Sequence, residues 1–363
     1  MPFGMPNADG RFRGGCLIGR ARGRGGGAPR GRWRSPVKGL NRPVGCVRLD
    51  TMAVHNRARE LTGRLADAVR RKAPGILWHV GQRFGFAVVL RGPFSPVPDV
   101  PPADSPVWSR VASLPGVHLD LNAQLAFIES RLTGYVEEFT LDVRERGFDL
   151  WNKLYQAGDA EILYALLRHL KPQRVLEVGS GNSTLVSAAA VSANAREGAR
   201  CELVAVDPHP RTELTESLEG LSRVERADCR ELPLERYLDL QAGDVLFVDT
   251  THVVKLGSEV NWLVLEVLPR LAAGVWVHFH DIFIPHQYPR YIFQTAGFLN
   301  EQYLLEALLL GGDWTIELAH AALFLDRHDA FVQLIPSLKE EVPGVAGLKT
   351  WLPSSLWIRR PSG

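Results

Sequence analysis

Two short stretches end in residues that belong to chemistry more than to packing: FVDTTH, residues 247 to 252, and VHFHD, residues 277 to 281. Their apolar residues read as buried strands, and a histidine or carboxylate there needs a partner. If the two strands are neighbours, Asp249, His252, His280 and Asp281 converge at one edge of a sheet. An imidazole titrates in the working range, so His252 is a candidate general base for a hydroxyl proton, with Asp249 or Asp281 to orient it. His278 lies two residues deeper on the face of His280 and reads as a hydrogen-bonded core histidine.

A second group sits in VLEVGSGNST, residues 175 to 184. A strand runs into a glycine turn and then a helix. Gly179 and Gly181 let the backbone, with Ser180 between them, turn tightly and approach a ligand. Ser183 and Thr184 are candidates to cap the helix. Glu177 stands inside the strand, where burial is expected; the plain alternative is a carboxylate capping a loop amide. Asp207 ends the next strand, LVAVD, where a carboxylate can accept ribose hydroxyls. Asp228 in ADCREL can accept from an adenine amino group or cap RELPLERYL, and both roles can hold together.

The elements that must position these groups alternate. DAEILYALLRHL reads as an amphipathic helix stopped by Pro172. RVLEVGS, ELVAVD, DVLFVD and GVWVHFHD read as strands, with helices in STLVSAAAVSANA and SEVNWLVLEVLPRL. Nearly all-apolar strands separated by helices mean a parallel sheet covered on both faces. WTIEL and SSLWIRR read as an antiparallel pair at its edge. A helix is expected from Leu121 to Phe139, with Leu121, Leu125, Ile128, Leu132 and Val136 on one face. PHQYPRY, residues 285 to 291, suits a loop roofing a pocket, with Trp151 and Tyr155 at its border.

The chain has 363 residues, 45% hydrophobic and 23% charged, enough for a real core. No apolar run is long enough to span a membrane. Cys16, Cys46, Cys201 and Cys229 form no CxxC pair, which argues against a zinc ribbon and for reduced thiols. The net charge of +2 hides an asymmetry: residues 1 to 50 carry ten Arg and one Lys against two Asp, and the remainder is net acidic. That acidic body, with no Asn-Pro-Pro-aromatic motif, argues against nucleic acid as the substrate. Residues 1 to 51 read as a disordered basic Gly/Arg-rich tail, either solvated or translated upstream of a start at Met52. Residues 52 to 147 form an N-terminal, largely helical extension with a proline-rich linker over 93 to 106, and residues 148 to 363 form the catalytic domain.

From about Phe148 to its end the chain resembles the class I methyltransferases that use S-adenosylmethionine (SAM). The resemblance is carried by LYALLRHLKPQRVLEVGSGNST, FVDTTHVVKLGSEVNWLVLEVLPRL, GVWVHFHDIFIP and SSLWIRR, and it points to a bacterial subgroup near O-methyltransferases of small molecules and sugars. It implies a Rossmann-like α/β fold with a seven-stranded sheet, parallel except for its last strand. It implies SAM as cofactor, held by Glu177, Gly179, Ser180, Gly181, Ser183, Asp207 and Asp228, with Glu177 beside the cationic methionine end. Dinucleotide dehydrogenases usually keep that position apolar. Catechol-type O-methyltransferases bind a divalent cation at the matching strand ends, so the resemblance offers Asp249, His280 and Asp281 as ligands for Mg²⁺ or Mn²⁺. The expected activity is methylation of a small-molecule or sugar hydroxyl in the cytoplasm, by a chain for which a homodimer is allowed. The alternative is a SAM-binding scaffold or regulator without turnover.

Overall fold

The computed structural model describes residues 79–81, 83–85, 95, 97–145, 148–152, 154–211, 214, 217–294, 298–340 and 352–361. The Gly/Arg-rich tail and the helix expected after Met52 lie outside them. The chain divides into two units, Met1–Val88 and Val89–Gly363. Of the first, the described residues 79–81 and 83–84 are helical and Gly85 is in a turn. The second holds the sheet and every residue discussed below.

Among the described residues seven strands form one sheet: β1 (Arg174–Val178), β2 (Glu202–Val206), β3 (Arg223–Glu225), β4 (Val245–Val248), β5 (Trp276–Phe279), β6 (Thr315–Ala319) and β7 (Leu356–Arg359). Their order is β3-β2-β1-β4-β5-β7-β6. β3, β2, β1, β4 and β5 pair in parallel, whereas β7 runs antiparallel to both β5 and β6. This is the architecture expected from the sequence. The two last strands do pair, and β7 is the inner one, inserted between β5 and β6. β3 carried no sequence signal, because three half-buried edge residues have no period to read.

The helices are α1 (Leu121–Phe127), α2 (Thr133–Glu145), α3 (Asp159–Leu170), α4 (Asn182–Arg196), α5 (Glu235–Leu238), α6 (Glu259–Trp262), α7 (Arg290–Gln294), α8 (Glu301–Leu310), α9 (His320–Asp326) and α10 (His328–Leu334). A π-turn at Ile128–Leu132 joins α1 to α2, and Leu121, Ile128, Leu132 and Val136 are buried as the spacing requires. α3 differs from the expected amphipathic helix. Asp159 through Arg168 are all buried, because α2 covers one side and α4 the other. Its buried charges survive by pairing: Arg168 reaches Glu138, Glu197 and Asn194, and Glu161 takes the Gly158 amide at 2.7 Å and the Ser337 hydroxyl.

Register places the polar strand ends together. Val178 pairs with Val248, and Val248 with Phe279. Asp249 N donates to Val178 O at 2.9 Å and His280 N to Val248 O at 3.1 Å. The chain runs outward from β1 to β3 and then returns beside β1 as β4, so the crevice at the β1/β4 ends is the switch point of the sheet. Antiparallel β7 starts where β5 ends, which brings Ser354 and Ser355 to the same edge.

Candidate active site at the carboxyl edge of the sheet

The glycine turn is held by backbone geometry. Gly179 has φ +92°, and a Cβ there would lie 1.9 Å from the Asp249 carbonyl oxygen. Nothing larger than hydrogen fits between β1 and β4 at this point. Gly179→Ala should therefore cost about 3 kcal/mol of stability from the collision and the positive φ together, measurable by urea titration; an unchanged midpoint would contradict the close approach. At Gly181 a Cβ would meet no atom within 4 Å, so the turn opens to space on that side. The Gly181 amide donates to Thr184 Oγ at 2.9 Å.

Glu177 is fully buried. One carboxyl oxygen accepts from Ser183 Oγ at 2.6 Å; the other, Oε2, has no partner. Burial pushes the group up to about 8; hydrogen bonds from Ser183 and Thr184 oppose the rise, and the charges of Asp249 and Asp207 add to it. Ser183 is thus a partner for Glu177, and Gly181 stands at the helix N-cap that the sequence offered to Ser183.

Asp207 follows β2 and braces the turn. Its Oδ2 accepts from Ser180 N at 2.9 Å and Ser180 Oγ at 2.7 Å, and its Oδ1 from His209 N at 2.7 Å. Asp228 accepts from the Arg230 amide at 2.9 Å, capping Cys229–Glu231, and both its oxygens pair with the Arg230 guanidinium. Of the two roles open to it in the sequence, the cap is the one this geometry occupies.

The four strand-end residues do come together. His252 Nε2 lies 3.3 Å from Asp249 Oδ1 and 3.8 Å from Asp281 Oδ2. His280 Nδ1 lies 3.7 Å from Asp249 Oδ1 and 3.9 Å from Asp281 Oδ1. His252 (φ +58°) and Asp281 (φ +54°) adopt the left-handed conformation that residues with a Cβ avoid, a cost of roughly 1 to 3 kcal/mol each that clusters at functional sites. Asp281 is held by Ser354 Oγ at 3.1 Å.

Charge decides the state of these groups. Burial works against protonation of His280, but Asp249, Asp281 and Asp159 outweigh it and hold the imidazole at about 9. Burial likewise opposes a charged His252, and Asp249, Glu301 and Asp281 raise it well above its usual value. Burial alone would raise Asp249; His280 and His252 bring it to about 2. Two imidazolium groups thus lie among the carboxylates at neutral pH.

That arrangement does not fit the metal ligation expected of Asp249, His280 and Asp281. Among the described residues no group of three or more His, Cys, Asp or Glu is disposed to hold a metal ion. His280 Nδ1 faces the two aspartates while Nε2 lies 3.6 Å from Asp159, so both ring nitrogens already have carboxylate neighbours. The positive charge between the carboxylates comes from the histidines instead.

Two acidic residues in this network carried no sequence signal. Glu301 opens α8 and is fully buried, with Oε2 3.0 Å from His252 Nδ1; the Asn300 and Glu301 amides also donate to His252 O. Asp159 opens α3 and accepts from the amides of Ser354 and Ser355 at 2.9 and 3.0 Å and from His320 Nδ1 at 2.6 Å. Burial opposes its charge, yet His280 and His320 hold it far below the carboxylate range. His278 is a core residue: fully buried, stacked on Phe247 at 3.9 Å and bonded to Ser355 Oγ at 2.9 Å. Tyr155 is buried against His280, with ring centroids 5.0 Å apart, and Trp151 is half-buried.

Residues 176–282 match the family model described as a methyltransferase domain. The match covers less than half of the chain, running from β1 to the loop after β5 and including Glu177, the glycine turn and all four strand-end residues. No curated protein matches the chain. A solved structure described as "cmcI-N160 SAH" aligns at 13% identity over 57% of this chain and 79% of that one, with a TM-score of 0.30. A likeness at that level carries no argument about this chain.

Proposed function

We propose that the chain is a SAM-dependent methyltransferase acting on the hydroxyl of a small molecule. The observation that carries the reading is the buried carboxyl oxygen of Glu177, left without a partner beside an open glycine turn. A site that buries an acid at this cost is built for a cation that arrives with the ligand. The methionine end of SAM carries one, and a methyltransferase-domain match covers the same residues.

When bound, SAM supplies an electrophilic methyl group on a sulfonium. Everything else is done by the chain. Glu177 gives up its proton and pairs with the ligand's ammonium. The Gly179–Gly181 turn admits the ligand close to the backbone, and Asp207 fixes the turn through Ser180 and is placed to exchange that bond for a ribose hydroxyl. Asp281 and Asp249 orient the acceptor hydroxyl at the strand ends. In its neutral form His252 takes the hydroxyl proton at Nε2, while Glu301 holds Nδ1–H and fixes the tautomer. Alignment of the oxygen with the methyl group is the main contribution to rate.

The reading is tested by incubating the purified chain with methyl-labelled SAM and a pool of phenols, alcohols and sugars. Label should appear in a hydroxyl compound as an ether. SAM bound with no transfer to any member would favour the scaffold alternative, and no SAM binding would remove the reading altogether.

A further inference from the structure

A half-open cavity of about 280 Å³ is lined in part by Asn300, whose amide donates to the His252 carbonyl, although none of the four strand-end residues lines it. Its walls come from three segments: the proline-rich stretch 98–108, the loop and helix carrying Gln287 and Phe293, and Phe298 to Tyr303 at the start of α8. These segments are tied to the site. Gln287 N donates to Arg110 O at 3.1 Å and Ala112 N to Pro285 O at 2.7 Å, which fastens the proline-rich strap to the loop after Asp281. Asn300 and Glu301 hold the His252 carbonyl. Gln302 next to them accepts from Phe283 N at 2.8 Å and donates to His286 O at 2.8 Å.

The wall is mostly apolar. Trp108 and Phe293 meet at 5.7 Å in a tilted pair; Val107, Phe298, Leu299 and Tyr303 join them, with the proline-rich stretch and the polar Asp99, Gln287 and Asn300 completing the wall. Several of its polar groups are already bonded: Trp108 Nε1 to Pro102 O at 2.8 Å, Tyr303 Oη to Gln287 at 2.7 Å, and the Asn300 side chain to the Val254 backbone at 2.5 Å. Among the lining residues Asp99 alone is charged, and it is exposed. A flat apolar body covers these rings, whereas a sugar would find few partners on them for the hydroxyls it desolvates. For scale, a dry cavity of roughly 150 Å³ accepts benzene, so this one suits one substituted ring or two fused rings.

Resting on the methyl-transfer reading, we propose that this cavity holds the aromatic body of the acceptor, which makes the substrate a phenol and not a sugar. The phenol oxygen then points from the cavity toward Asp281 and His252.

The test is calorimetry on the full chain with naphthol and methyl glucoside as probes, each with and without saturating S-adenosylhomocysteine (SAH). Naphthol should bind one to one and methyl glucoside should not. Val107→Trp and Leu299→Trp each fill the cavity, and each should weaken naphthol by about tenfold or more while leaving SAH affinity unchanged. Val107 is partly exposed, so its variant folds even if the other does not. Naphthol binding that neither variant disturbs, or SAH binding with no naphthol binding, overturns the cavity proposal alone. Naphthol bound normally by a protein that does not bind SAH overturns the methyl-transfer reading and, with it, the acceptor role of the cavity.

Discussion

Glu177→Gln should raise the melting temperature of the ligand-free protein at neutral pH and abolish its binding of SAM. The two effects have one cause. Burial lifts the Glu177 carboxyl from 4.5 to about 8, so the folded chain holds a proton that the unfolded chain releases. For an acid raised in this way, folding stability falls as pH climbs from the unfolded value to the folded one, and is then level. At about pH 7 the loss is on the order of 3 kcal/mol. Glutamine matches the neutral acid in shape and never ionises, so the variant escapes the loss. Melting curves of the two proteins should coincide near pH 4.5, diverge as pH rises and stay apart above about 8. Cofactor affinity should move the other way, by at least about a hundredfold, because a charged partner for a buried cation is gone. A variant that melts lower at every pH would show that the carboxyl is already satisfied without a ligand.

The second large effect concerns the rate. His252 acts as a base only when neutral, and its neighbours hold it protonated well above the usual imidazole value. Methyl transfer should therefore rise with pH on the alkaline side of 6.5. Glu301→Gln removes one of the charges that raise His252, so the rising limb should move to lower pH while KM for the acceptor stays put. A merely structural role for Glu301 would change the rate without moving the limb. His252→Ala should cost about 10²-fold or more in rate at high pH, where the wild-type imidazole is neutral, and progressively less as pH falls. A pH profile that does not respond to Glu301→Gln would remove His252 as the base.

Much of this arrangement was legible in the sequence because strand and helix periods are strong signals. RVLEV, ELVAV, VLFV and WVHF are apolar because helices cover them on both faces, and polarity at their ends marks where cover stops. The meeting of Asp249, His252, His280 and Asp281 followed from β4 and β5 being neighbours. Asp159 and Glu301 were hidden for a different reason. Each opens a helix, where an acid is unremarkable, and only the tertiary fold turns them inward onto His280 and His252. Ser354 was hidden by the topology, since β7 enters beside β5 only when the sheet is assembled. The metal reading finds no support in the geometry: sequence gives ligand types, but among the described residues no three such groups are disposed to hold an ion.

The central claim is that Glu177 is the buried counter-ion for the cofactor's ammonium. SAH should be titrated into the protein at about pH 6.5 in two buffers of different ionisation heat, where a group at about 8 is still protonated before binding. The expected result is one-to-one binding with release of about one proton, and a Glu177→Gln protein that releases none and binds far more weakly. Binding of equal strength in both proteins with no proton released would contradict the account.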